Sequence, residues 1–240
     1  MTYISTRKEL LNYKYDDKPL IGLFAHSHLE YFLEREDFEP TVEEMTEVAV
    51  EKLSKNPNGY YLFVEGGQID FGHHGATPIH ALTEYLEFDK AVGVGIQKTN
   101  PEETLLLVSA DHSHVFTLGG YGTRGTDIFG LGARSATYVD WDIRNGTDDE
   151  NIHLSKYFLA RTLHSLLVGY ANGPGYKAEL HKNETTGEER CGRQKPSDTE
   201  EERANPEKYP NTLWPTSHPI DSETHGADDV ALLGRGPWVR

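Results

Sequence analysis

The chain has 240 residues, of which 36% are hydrophobic and 26% charged, and its net charge is −16. This composition is typical of a globular protein rather than a disordered one, and no apolar run of about 18 residues predicts a transmembrane helix. The acidic balance argues against nucleic acid binding through the phosphate backbone. Because Cys191 is the only cysteine, we expect neither an intrachain disulfide nor a cysteine-based zinc site.

The N-terminal half predicts helices and strands in alternation. Thr41 and Glu44 form a capping box that predicts a helix ending near Asn56. The apolar run 60–64 predicts a strand buried on both faces, and 104–110 predicts a second one. Between them we expect one long helix over 74–97. Its apolar stripe consists of Ile79, Ala81, Leu82, Tyr85, Leu86, Phe88, Val92 and Ile96. This order predicts an α/β fold with a mostly parallel central sheet covered by helices.

The C-terminal half is richer in glycine and polar residues. The apolar stretch 162–171 is consistent with a strand, and 230–233 predicts the last strand. Between them, 182–211 has almost no apolar residues, so we expect a long surface loop. Asn145 and Asn183 begin glycosylation sequons, which are weak signals because short motifs arise by chance.

Three clusters of possible metal ligands follow or precede predicted strands. The first contains Glu65, Asp70, His73 and His74, and a helical turn would direct Asp70 and His74 toward one point. Glu65, as a hard oxygen ligand, suits magnesium better than zinc. The alternative for this cluster is that Asp70 caps the helix while His74 faces solvent.

The second cluster contains Asp111, His112 and His114, at the end of the second predicted strand, and the third contains Glu223 and His225. Each could be a satisfied polar turn or a solvent-facing histidine. Together the three clusters could bind two or three metal ions, and two ions about 4 Å apart can stabilise both the attacking and the leaving oxygen of a phosphoryl transfer. The residues alone therefore favour a metal-dependent hydrolase and leave its substrate open.

Four motifs closely resemble, in order, those of the animal-type alkaline phosphatases. They are F-V-E-G-G-Q-I-D-F-G-H-H, S-A-D-H-S-H-V-F-T-L-G-G-Y-G-T-R-G, N-G-P-G-Y and E-T-H-G-A-D-D-V-A. The resemblance implies the α/β fold of that family with a loop-rich, crown-like insertion. It implies a core part over 1–121, the insertion over 122–222 and a return to the core over 223–240.

The same resemblance implies two Zn²⁺ ions and one Mg²⁺ ion. The first zinc would be held by Asp70, His74 and His225, the second by Asp111 and His112, and the magnesium by Glu65. His73 and His114 would orient ligands or face the substrate, and Tyr121 would reach toward the active site of a partner in a homodimer. Two departures stand out: Phe71 replaces a histidine of many relatives, and Ala25 replaces the glutamate of a structural calcium site.

The implied reaction is hydrolysis of phosphate monoesters through a phosphoserine. We expect the nucleophilic serine to lie upstream of this chain, so the 240 residues alone should be inactive. The resemblance also implies an extracellular or cell-surface protein, with any membrane contact through a lipid anchor; the sequence shows neither a signal peptide nor an anchor signal. Two alternatives are a truncated, non-catalytic metal-binding or interaction protein, and a phosphodiesterase or sulfatase of the same superfamily. The motifs G-G-Y and E-T-H-G count against the second alternative.

Overall fold

The computed structural model describes residues 1–118, 124–125, 127–129, 167–175, 179–182, 189–192, 211, 213–214 and 216–239. The chain divides into two compact units. Unit 1 comprises residues 1–72, 80–113 and 227–240, and unit 2 comprises residues 73–79 and 114–226. The sequence-based division at 121 and 222 stays a prediction. Among the described helices, none is long and apolar enough to cross a membrane.

The N-terminal part of unit 1 is a small parallel strand pair packed beside two helices. Strands β1 (Thr2–Ile4) and β2 (Leu20–Gly22) pair in parallel, and helix α1 (Arg7–Leu11) lies between them in sequence. Helix α2 (Val42–Leu53) contributes Val48 to a core with Ile4 and Leu10.

The predicted capping box at the start of α2 is confirmed. The Thr41 hydroxyl accepts a hydrogen bond from the Glu44 amide at 3.1 Å, and the Glu44 carboxylate accepts one from the Thr41 amide at 3.0 Å. The Arg7 guanidinium also donates to both oxygens of Glu44 through Nε at 2.9 Å. These hydrogen bonds, that from Arg7 above all, lower the pKa of Glu44.

The predicted helix over 74–97 is wrong at its start, because two helices occupy this region. Helix α3 (Gln68–His74) ends where Ala76 adopts a φ of 52°, and helix α4 (Pro78–Lys98) begins at the proline. A proline is favoured in the first turn of a helix and disfavours helical geometry in the residue before it. Gly72 allows α3 to pack against α4, since a Cβ there would lie 2.6 Å from the Ala81 amide nitrogen.

The strand predicted over 60–64 is not formed. The segment has no strand partner within the part of the chain that the structure describes, and an extended segment becomes a strand only by pairing. Tyr61 is 86% exposed and Phe63 71% exposed, so the segment is not buried on both faces. The apolar stripe of α4 is likewise only partly covered, since Ile79 and Ala81 are buried while Tyr85, Leu86 and Ile96 are exposed.

The second predicted strand is confirmed in position, but its expected burial on both faces is not. Strand β3 (Leu106–Ser109) pairs antiparallel with β9 (Leu232–Arg235), with Ser109 opposite Leu232. The last predicted strand therefore begins two residues later than expected. Leu107 and Leu233 are exposed, so this pair is not buried on both faces. The described strands form small sheets of mixed direction, and a mostly parallel central sheet is not confirmed.

Unit 2 is organised around a three-stranded sheet. Strand β5 (Val168–Gly173) lies between β4 (Phe116–Leu118), which is antiparallel to it, and β8 (Thr216–Pro219), which is parallel. The core beneath this sheet consists of Ala76, Ile79, Val168, Tyr170 and Trp214. The sequence placed a possible strand over 162–171, of which 162–166 lie outside the described residues.

A second strand pair of unit 2 falls partly within the predicted loop over 182–211. Strand β6 (Glu179–Lys182) pairs antiparallel with β7 (Glu189–Gly192), so the segment contains one strand that the sequence did not predict. The rest of that segment, apart from residue 211, lies outside the described residues, as do Tyr121, Asn145 and Asn183.

Candidate metal centre

Four histidines of unit 2, His73, His74, His114 and His225, form what we call the histidine cluster. His73 and His74 come at the end of α3, and His114 comes just before β4. An antiparallel bridge pairs His114 with His225, and the Val115 amide donates to the Thr224 carbonyl at 3.3 Å. This short backbone pairing brings His114 of the second cluster beside the third cluster, although His114 and His225 are 111 positions apart in the chain.

Two imidazoles of this cluster converge on one point. The Nε2 atoms of His74 and His225 are 3.1 Å apart. Nδ1 of His74 lies 2.5 Å from the Glu223 carbonyl oxygen, which can only accept, so the His74 proton sits on Nδ1 and its Nε2 offers a lone pair. Two nitrogens bound tetrahedrally to one zinc at about 2.0–2.1 Å are roughly 3.3 Å apart. The spacing is therefore close to that of two ligands of one zinc ion, and it is also that of a hydrogen bond from His225 Nε2 to the His74 Nε2 lone pair.

Glu223 contacts the histidine cluster in a way that the sequence did not predict. Its side chain is buried, one oxygen accepts from His114 Nδ1 at 2.7 Å, and the other accepts from the Val115 amide at 2.7 Å. The available signal was a carboxylate two residues before His225, in the same motif. His74, His114 and Glu223 also form a group that could hold a metal ion by proximity alone.

His73 is anchored in the aromatic core of unit 2. Its Nδ1 lies 2.9 Å from the Tyr170 hydroxyl, and Tyr170 is only 2% exposed. The His73 ring also stacks on His114 with 4.7 Å between ring centroids. His73 and His114 are thus each hydrogen-bonded to a partner of their own, and the orienting role implied for them stays a prediction.

Unit 1 contains a separate group of potential ligands, Asp70, Asp111 and His112, which we call the carboxylate group. His112 Nε2 lies 3.6 Å from Asp70 Oδ1 and 3.4 Å from Asp111 Oδ2. His112 Nδ1 lies 3.2 Å from the Ser113 carbonyl, which can only accept, so Nδ1 carries a proton and Nε2 faces the carboxylates. Asp111 itself belongs to none of the potential ligand groups found among the described residues. Oxygen and imidazole nitrogen are both ligands of zinc.

Glu65 stands apart from both groups. It is exposed, lines a cavity of about 390 Å³ in unit 1, and belongs to none of the potential ligand groups found among the described residues. Phe71 lines the same cavity and lies against His28, with ring centroids 4.4 Å apart. Of the predicted ligands, Glu65 and Asp111 are thus the two that join no potential ligand group among the described residues.

The comparisons with known proteins agree with the motifs. A family model described as alkaline phosphatase matches residues 1–239. Similar relatives include the alkaline phosphatase of Gadus morhua, 38% identical over 99% of this chain and 42% of the relative. The tissue-nonspecific isozyme of Homo sapiens is 37% identical over 99% of this chain and 38% of the relative. The chain thus spans about two fifths of the length of these curated relatives.

Among solved structures, the cold-active alkaline phosphatase of the psychrophile Shewanella sp. is 22% identical, with a TM-score of 0.48. That match covers 70% of this chain and 49% of the other.

Proposed function

We propose a function from one premise: this chain belongs to the alkaline phosphatase family. As part of such a protein it contributes the metal-binding residues of an enzyme that hydrolyses phosphate monoesters. The observation that supports this most directly is the 3.1 Å spacing between His74 Nε2 and His225 Nε2. Both imidazoles belong to motifs shared with the family, and the spacing suits one zinc ion.

We assign the ions by unit. His74 and His225 would hold one zinc ion, and Asp111 and His112 of the carboxylate group would hold a second. The resemblance assigns Asp70 to the first zinc and Glu65 to a magnesium ion, and both assignments stay proposals. When bound, such ions supply positive charge that stabilises the attacking and leaving oxygens of a phosphoryl transfer.

The chain's own contribution is to hold and orient these ligands. The Glu223 carbonyl fixes the His74 tautomer, and the Ser113 carbonyl does the same for His112. His73 and His114, held by Tyr170 and Glu223, would lie beside the reacting phosphate or support the ligands. The serine nucleophile of the family has no counterpart among the motifs matched here, so we propose that another segment supplies it. A homodimer and a cell-surface location are implied by the resemblance alone.

A two-part experiment tests this function. Zinc titration of the purified 240-residue chain should show tight binding, and a phosphate-release assay at alkaline pH should show no turnover by the chain alone. Adding a polypeptide that corresponds to the unaligned part of the Gadus morhua relative should restore turnover. A chain that binds no zinc would contradict the metal assignment. Turnover by the chain alone would contradict the location of the nucleophile and direct attention to Ser109 or Ser113.

A further inference from the structure

Glu223 contacts two members of the histidine cluster, His74 through its backbone carbonyl and His114 through its carboxylate. Its carbonyl oxygen lies 2.5 Å from His74 Nδ1, and its carboxylate accepts from His114 Nδ1 at 2.7 Å. The second carboxylate oxygen accepts from the Val115 amide at 2.7 Å. One residue thus connects α3, the segment before β4 and, through the chain, His225.

Because the Glu223 side chain is buried, it depends energetically on these hydrogen bonds. Glu223 is 1% exposed, and an isolated carboxylate is costly to bury unless hydrogen bonds compensate for its lost hydration. Its hydrogen bonds from His114 and Val115 provide that compensation, and they fix where the residue can lie. His74 Nδ1 is also 3.7 Å from the carboxylate, so the negative charge faces the side of the imidazole opposite Nε2. A carboxylate in that position increases the basicity of a metal-binding nitrogen.

The distances argue against Glu223 as a metal ligand in its own right. The separation of 2.7 Å between its oxygen and His114 Nδ1 is that of a charge-assisted hydrogen bond. Two ligand atoms of one tetrahedral zinc ion would lie roughly 3.3 Å apart. Both carboxylate oxygens are already accepting hydrogen bonds from protein donors.

We propose that Glu223 is the positioning residue of the histidine cluster: its carboxylate anchors the backbone whose carbonyl orients His74, and so holds His74 Nε2 and His225 Nε2 at the spacing of one metal ion. This inference rests on the proposed function, because it takes the ion of His74 and His225 as its premise. It gives a specific role to Glu223, which the sequence placed in the third cluster without assigning it one.

The test compares zinc affinity in Glu223→Gln and in Asp221→Asn, both in the full 240-residue chain. The glutamine retains the volume and the backbone carbonyl but has only one acceptor oxygen for the two donors, His114 and Val115. Asp221 is exposed and lies two residues away, so its variant removes the same charge from the same segment. Loss of such an outer partner typically lowers metal affinity about 10- to 100-fold. We expect that loss for Glu223→Gln and none for Asp221→Asn in a competition titration with a chromophoric chelator.

Two further readouts separate positioning from stability. Cobalt(II) loaded into the chain should give a ligand-field spectrum that differs between wild type and Glu223→Gln, whereas a merely structural residue would change the melting temperature of the metal-free chain and leave the spectrum unchanged. NMR of the unsubstituted chain should show the His114 proton on Nδ1, which keeps the inference testable if the variant fails to fold. Equal zinc affinity in Glu223→Gln and wild type, or a proton on His114 Nε2, would overturn it. Failure of wild type to bind zinc would instead overturn the proposed function.

Discussion

The two units support their potential ligands in different ways. In unit 2, the histidine cluster is held by side chains that are almost wholly buried, Glu223 and Tyr170. In unit 1, the carboxylate group is unevenly covered: the Asp111 side chain is 87% exposed, whereas that of Asp70 is 35% exposed and its Oδ1 atom is buried. Hydrogen bonds from buried groups orient a ligand before an ion arrives, whereas exposed carboxylates lose rotamer freedom only on binding. The difference indicates that the histidine cluster of unit 2 is the better preorganised of the two groups of proposed ligands and supporting residues.

The largest expected effect follows from removing a ligand of the preorganised part. His74→Ala should lower zinc affinity by more than about 100-fold, because only one imidazole of the converging pair remains. In an active enzyme that contains this chain, turnover should fall by orders of magnitude. Metal analysis after dialysis measures the first effect, with His218→Ala as control, since His218 is an exposed histidine of the same unit. Full zinc occupancy in His74→Ala would contradict the assignment of His74 as a zinc ligand.

A smaller effect is expected from the exposed group. Asp111→Asn should reduce the number of bound ions by one while leaving the melting temperature of the metal-free chain nearly unchanged, because surface substitutions usually alter stability by less than about 0.5 kcal/mol. Metal stoichiometry by mass spectrometry and a thermal melt check the two parts. Asp17→Asn is a matched control among the exposed aspartates of unit 1. Unchanged stoichiometry would show that Asp111 is not a ligand.

The anchoring of His73 gives a prediction about stability rather than binding. Tyr170→Phe removes the hydroxyl 2.9 Å from His73 Nδ1 and retains the buried ring. The free energy of unfolding should fall by about 1 kcal/mol, the usual contribution of one hydrogen bond. Denaturant unfolding measures this, with Tyr3→Phe, an exposed position, as control. An unaltered free energy would mean that the buried support of unit 2 is packing alone.

The sequence predicted those features of the fold and the site that depend on neighbouring residues, and it missed those that depend on distant ones. The α2 capping box and the helical spacing of Asp70 and His74 are local, and the structure contains both helices. The buried strand over 60–64 was wrong because an apolar run does not specify a partner strand. The sequence placed Glu223 in a cluster but could not predict its contact with Nδ1 of His114, which spans 109 residues and which no local pattern encodes.

The smallest expected effect concerns a carboxylate of unit 1 that serves the fold rather than the site. The hydrogen bond from Arg7, then that from Thr41, lowers the pKa of Glu44 below its ordinary value. A carboxyl whose pKa is lower in the folded state stabilises the fold above its unfolded pKa of about 4.3, and this contribution is lost as the pH falls through the folded pKa. Glu44→Gln should therefore lower the free energy of unfolding by about 1 kcal/mol at pH 7, because glutamine loses the charge-assisted hydrogen bonds from Arg7 while it can still accept from the Thr41 amide.

The pH dependence is the sharper part of this prediction. As the pH falls below the folded pKa of Glu44, the wild-type carboxyl becomes neutral like the glutamine, and the difference between the two proteins should shrink toward zero. Glu43→Gln, which changes a neighbouring acid without the Arg7 contact, should show a smaller difference at pH 7. Urea unfolding at pH 7 and at successively lower pH measures all three proteins. If the free energy of unfolding of Glu44→Gln stays below that of wild type by the same amount at low pH, the loss arises from packing. Equal zinc affinity of wild type and Glu44→Gln at pH 7 would indicate that this carboxylate does not support the proposed ligands.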